Sequence, residues 1–171
     1  MTDISTHTSR GWALPAISVN TLILILLGGA AGTLAFDIFG RAISPILGFA
    51  SLAPVGLARG FLGALDLPNS AAYGHLMHLF LVGALAYPIG WLFVARPVLE
   101  RFVPSLHWLP GSVAYGVGLW VFAIGGIAAF AGNPPFLNFT GITWVALAGH
   151  VLYAVVAAAT IAYLERLQNA R

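Results

Sequence analysis

The sequence predicts an all-α fold: a four-transmembrane-helix bundle with a Pro/Gly-broken interfacial or re-entrant segment between its first and second helices. Three observations predict it. Of 171 residues, 60% are hydrophobic and only 7% are charged, whereas a soluble domain carries roughly 25% charged residues. Most of the outer surface must therefore face lipid. The mean hydropathy is +0.93. The few charges bound long charge-free windows, and lipid then dictates helices, because an open strand edge would leave its N–H and C=O groups unsatisfied.

Residues 1–17 read as a polar N-terminal tail carrying Arg10. A signal peptide is the competing reading, but the apolar stretch that follows is long enough to span and no A-x-A site closes it. The single transmembrane domain is expected over 18–166, with a tail at 167–171. The first span, 18–40, fills the window between Arg10 and Asp37. The second, 70–95, fills the window between Asp66 and Arg96. From Arg101 to Glu165 the apolar run exceeds what one crossing needs, since about 20 residues cross the hydrocarbon core. It divides at Gly132-Asn133-Pro134-Pro135, a strong turn signal, into spans 110–131 and 141–166. Pro110 suits a first-turn position, and Thr140 suits a cap for the last helix. Residues 42–65 are apolar but contain Pro45, Pro54, several glycines and Arg59. They fit short interfacial helices or a re-entrant lid better than a fifth span. Pro88 is expected to kink the second span.

The basic residues are all arginines, and they give the orientation. Four spans put Arg10, Arg96, Arg101, Arg166 and Arg171 on one side and Arg41 and Arg59 on the other. Five against two places both termini in the cytoplasm. Trp91, Trp108 and Trp144 fall near span ends, as an aromatic belt requires. Gly28 and Gly32 form a G-x-x-x-G spacing that suits close helix packing, either inside the bundle or through self-association.

Several function classes are excluded. There is no cysteine, hence no disulfide, thiolate metal site or cysteine nucleophile. A net charge of +2 gives no electrostatic footprint for nucleic acid. G-x-G-x-x-G and Walker A loops are absent, and Ser and Asp are too sparse for a hydrolase triad. Asn138-Phe139-Thr140 matches a glycosylation sequon, but nothing places the chain in a pathway that would use it.

Ionisable groups inside spans are expensive and mark function. Four qualify: Asp37 near the end of the first helix, His75 and His78 in GHLMH opening the second, and His150 in AGHVLY of the fourth. At about 1.5 Å per residue, the topology puts all four in the outer half of the bilayer. His75 and His78 are three apart and share a helix face. With His150 they form a three-histidine set that copper or zinc would accept, Asp37 ligating or orienting one of them. Tyr153 would stand behind His150. Haem held by His150 and His75 or His78 is a second reading. A hydrogen-bonded structural cluster satisfies the same energetics, and a proton relay is a further alternative. His107, in the loop before the third helix, and His7, in the tail, read as solvated.

The segments GGAAGTLAFD, GHLMH, PGSVAYGVGLW and GHVLYAVVAA, spread over residues 20–165, resemble the small four-helix bacterial inner-membrane proteins grouped as families of unknown function. The resemblance implies an inner-membrane location and four spans, and carries no activity. The expected role is that of a non-enzymatic integral membrane protein, a helix-packing or accessory subunit that meets the lipid bilayer and other membrane-protein subunits. A metal- or haem-binding redox protein is the alternative, and a transporter of protons or small solutes the third.

Overall fold

The computed structural model describes residues 14–103 and 107–170; the expectations for His7, Arg10 and Arg171 lie outside them. Within them the chain is helical with no strand. Four helices are long and apolar enough to cross a membrane: α1 (Val19–Ile46), α3 (Ala71–Phe102), α4 (Trp108–Phe130) and α5 (Gly141–Asn169). The fifth, α2 (Pro54–Ala64), has 11 residues. At about 1.5 Å per residue it is far too short to span, so the chain crosses four times.

Helix ends follow local rules. Ser18 caps α1, its Oγ accepting the Thr21 N–H at 3.1 Å. α1, α2 and α4 each end in a left-handed residue, respectively Gly48 (φ 84°), Asp66 (φ 55°) and Gly132 (φ 83°). In each, the next N–H reaches five residues back: Phe49 to Ser44, Leu67 to Leu62, Asn133 to Ala128. This is the Schellman termination, which satisfies carbonyls left open at a helix C-terminus. Thr140 departs from expectation. Its hydroxyl donates to the Leu137 carbonyl at 3.0 Å instead of capping α5.

Prolines shape the long helices. Ser44 N–H bonds Phe39 O, Tyr87 N–H bonds Val82 O and Arg96 N–H bonds Trp91 O. Each donor precedes a proline, and each bond spans five residues rather than four. A proline lacks an N–H and its ring clashes with the carbonyl four residues back; a widened π-type turn before it relieves the clash.

α5 is the central helix. It packs along α1 on one side and α4 on the other, and α1 packs on α3. Small residues allow these approaches. A Cβ on Gly29 would lie 2.6 Å from the Ala84 and Gly83 carbonyl oxygens of α3, and one on Gly116 would lie 2.6 Å from Val151 Cα of α5. Gly28 and Gly32 are buried against Ile161 and Tyr153 of α5. Their face is thus filled within the chain, and a second copy would reach it only by displacing α5.

α3 and α4 meet chiefly through Trp91–Phe102 and Trp108–Trp120, at the end of the bundle where α5 terminates. There Arg96 bridges Glu100 (3.0 Å) and Glu165 (2.7 Å). Trp91 is buried in this region and packs on Tyr115, so it belongs to the core and not to an aromatic belt. Toward the other end, α2 packs against the start of α3 and the end of α4. Phe61 of α2 meets Phe130 of α4 at 5.6 Å, and Arg59 Nε donates to Asn69 O at 2.7 Å. The stretch before α2 folds back onto α1: Leu52 N–H bonds Gly40 O at 2.9 Å, and Leu52 is buried with Phe36. Of the broken segment 42–65, residues 42–46 are the last turn of α1, and the rest is a loop folded back onto α1 plus a short covering helix.

Candidate functional site

Where α2 covers the bundle, a cavity of about 550 Å³ opens among all five helices. Its walls are mainly apolar, and its polar groups are few. Their positions follow from the elements just described.

His78 and His150 both line this cavity, and the ring of Phe36 lies against each. Ring centroids are 6.0 Å apart for Phe36 and His78, and 5.2 Å, edge to face, for Phe36 and His150. Tyr87 continues the row, 6.3 Å from His150 and 5.4 Å from Tyr153. One aromatic wall therefore runs from α1 through α3 and α5.

The hydrogen bonds assign roles. His78 Nε2 pairs with Asp37 Oδ1 at 2.9 Å, a bond between α3 and α1. Arg41 approaches the other oxygen of Asp37 at 4.0 Å. His150 Nδ1 lies 2.7 Å from Ala146 O, one turn earlier on α5. Tyr153 Oη donates to Gly83 O at 2.6 Å. That bond has a cause in the sequence. Tyr87 N–H is turned to Val82, Pro88 has no N–H, and the Gly83 carbonyl takes its donor from the neighbouring helix. Thr33 Oγ1 donates to Gly29 O at 2.8 Å.

The expected four-residue metal set is not assembled. His75 is exposed, its Nδ1 held 2.8 Å from Ala71 O of its own helix, and it does not line the cavity. Its position three residues from His78 puts both on one side of α3, but the wide turns from Leu76 to Ala86 and the helix start separate their surroundings. Among the described residues no three His, Asp or Glu side chains are grouped to hold a metal ion. The three-histidine ligation expected for copper or zinc lacks His75. Of the two haem pairings expected, His150 with His78 meets a ring whose Nε2 is engaged by Asp37, and His150 with His75 lacks a shared cavity, since His75 does not line it. What the structure does bring together is Asp37 with His78, and His78 with His150 across Phe36.

Tyr87 and Leu52 are site residues that the sequence reading missed. The signal for Tyr87 was available: a hydroxyl beside a mid-helix proline, deep in an apolar span. Leu52 carried none, since only the fold-back of the loop brings it inside. A left-handed turn also shapes the wall. Phe136, Leu137, Asn138 and Phe139 have φ of 49°, 50°, 55° and 52°, a conformation costing roughly 1–2 kcal/mol per residue. Packing offsets it: the Phe136 ring sits against Gly125 and 4.9 Å from Trp120, and Thr143 Oγ1 donates to Phe136 O at 2.6 Å. The turn delivers Leu137 to the cavity.

Comparison with protein-family models, with curated proteins and with solved structures returns no match.

Proposed function

We propose that this chain is a non-enzymatic, multi-pass protein of the bacterial inner membrane, with both termini cytoplasmic, that holds an apolar small molecule at the outer end of its bundle as an accessory component of the membrane. The cavity carries this reading. Ligand pockets are roughly 300–1,000 Å³, mostly apolar, with a few convergent polar groups; this one is about 550 Å³ and mainly apolar, with His150 and Tyr87 in its wall. Its lining supports a membrane-borne ligand, because four of the five helices around it are long apolar spans. The arginine count supports the orientation, and the sequence resemblance supports the inner-membrane location.

The test is direct binding. Purified protein in nanodiscs is incubated with tritiated para-octylanisole, and retention is compared with protein-free nanodiscs to subtract partition into lipid. Saturable binding near one per chain is expected. Ala58→Trp, which fills the cavity from α2, should abolish it. Unsaturable uptake, equal to that of lipid alone, of this ether and of its phenol and ketone analogues would end the ligand-holding reading.

A further inference from the structure

The polar groups in the cavity wall are not equivalent, and their differences select a ligand. His150 is only 5% exposed. Its Nδ1 faces the Ala146 carbonyl at 2.7 Å. A carbonyl oxygen only accepts, so Nδ1 carries the ring proton, and in a neutral imidazole the other nitrogen is then an acceptor alone. Among the described residues, His150 forms no ion pair, and the one nearby carboxylate, Asp37, is engaged by His78. A second proton on His150 would be an uncompensated charge in an apolar wall, which is costly.

Nε2 forms no hydrogen bond within the protein among the described residues. No fully enclosed side-chain nitrogen or oxygen among them lacks a partner. Nε2 is therefore not fully enclosed, and it opens on the cavity that His150 lines. Of the other polar neighbours, Tyr153 donates to Gly83 O, Thr33 to Gly29 O and Asn133 Nδ2 to Ala128 O, and His78 Nε2 pairs with Asp37, which leaves His78 Nδ1 and Asn133 Oδ1 as further acceptors without a bond among the described residues. The Tyr87 hydroxyl, on the ring 6.3 Å from His150, makes no bond within the described residues, and it can donate or accept.

We propose that the cavity selects an apolar molecule bearing a hydroxyl group, an alcohol or phenol, whose O–H donates to His150 Nε2 while its oxygen accepts from Tyr87. The proposal rests on the ligand-holding reading above. Methyl ethers and ketones of the same shape have no hydrogen to give His150 and leave its acceptor unpaired. Discrimination of this kind arises because the wrong ligand leaves a polar group of the site without a partner.

The experiment compares matched probes on the protein in nanodiscs: para-octylphenol, para-octylanisole and para-octylacetophenone, each corrected for uptake by protein-free nanodiscs. The phenol should bind about fivefold or more tighter than the ether, the factor one hydrogen bond supplies. His150→Phe should bring the ratio to about one while the ether still binds, and Tyr87→Phe should reduce it in part. Equal affinity of phenol and ether for the wild-type protein, or tighter binding of the ketone, overturns the selection and leaves ligand holding intact. An unchanged ratio in a folded His150→Phe protein overturns the role of His150. Should that variant fail to fold, the wild-type ratio still decides. Absence of saturable binding by all three probes would overturn the ligand-holding reading and this proposal together.

Discussion

Single residues set how closely the helices approach. Gly29 and Gly118 have the same side chain and opposite surroundings. A Cβ at 29 would meet two backbone carbonyl oxygens of α3 at 2.6 Å, and one at 118 would meet nothing within 4 Å. Backbone cannot rotate aside as a side chain can. Gly29→Ala should therefore lower stability by roughly 1–3 kcal/mol, the range for overpacking, and separate α1 from α3. Gly118→Ala should stay within about 1 kcal/mol of wild type, on the favourable side through helix propensity. Thermal unfolding of the two proteins in detergent measures the difference. Equal melting temperatures would show that α1 and α3 do not meet at Gly29. Gly28 is a milder case, because its nearest neighbours are the flexible end of Ile161. This ranking was illegible in the sequence, where Gly28-Gly29 and Gly116-x-Gly118 read alike.

At the scale of the element, the prolines decide where each long helix widens and which carbonyls it surrenders. Pro88 leaves Gly83 O to Tyr153, so a proline on α3 makes a tyrosine on α5 necessary. Tyr153→Phe should cost about 1–3 kcal/mol, the range for a buried acceptor left unsatisfied. In a Pro88→Ala background, where residue 88 regains its N–H, the penalty should shrink, giving a coupling of about 0.5 kcal/mol or more in a double-mutant cycle. Strict additivity of the two changes would dismiss the link. The sequence marked Pro88 as a kink, and Tyr153 as a neighbour of His150. Their bond needed the fold, since they are far apart in the chain and only the packing of α5 between α1 and α4 turns Tyr153 toward α3.

For the whole molecule, four long apolar helices put Val19 and Asn169 at one end of the bundle and α2 at the other. Arg96, Arg101 and Arg166 lie at one end of the bundle, Arg41 and Arg59 at the other. A fluorescent-protein fusion after Arg171 should glow in the cytoplasm, and a phosphatase fused near Pro134 should be active on the periplasmic side. The chain has no cysteine, so a single introduced thiol reports one position. Asp66→Cys, at the exposed end of α2, should react with an impermeant maleimide added to intact cells. Phe61→Cys, packed on Phe130, should react slowly. Fast labelling of both would detach α2 from the bundle, and the reverse sidedness would invert the topology.

The sequence by itself determined the four spans, their helical state, the turn at Gly132 and the broken character of residues 42–65. These follow from lipid exclusion of charge and of unpaired backbone groups, which act on every residue of a segment at once and so leave a pattern in one dimension. It also grouped Asp37, His78 and His150 at one end, because depth along a helix is a count of residues. Tertiary structure decided the rest. His75, near the start of α3, stayed exposed, while His78, one turn further on, met Asp37 of α1. The divergence of α3 from α4 made the cavity, and the fold-back at Leu52 and the left-handed turn at Phe136 walled it. These depend on which faces meet across helices, and face contacts between distant segments are set by small differences in packing that no single stretch of sequence contains.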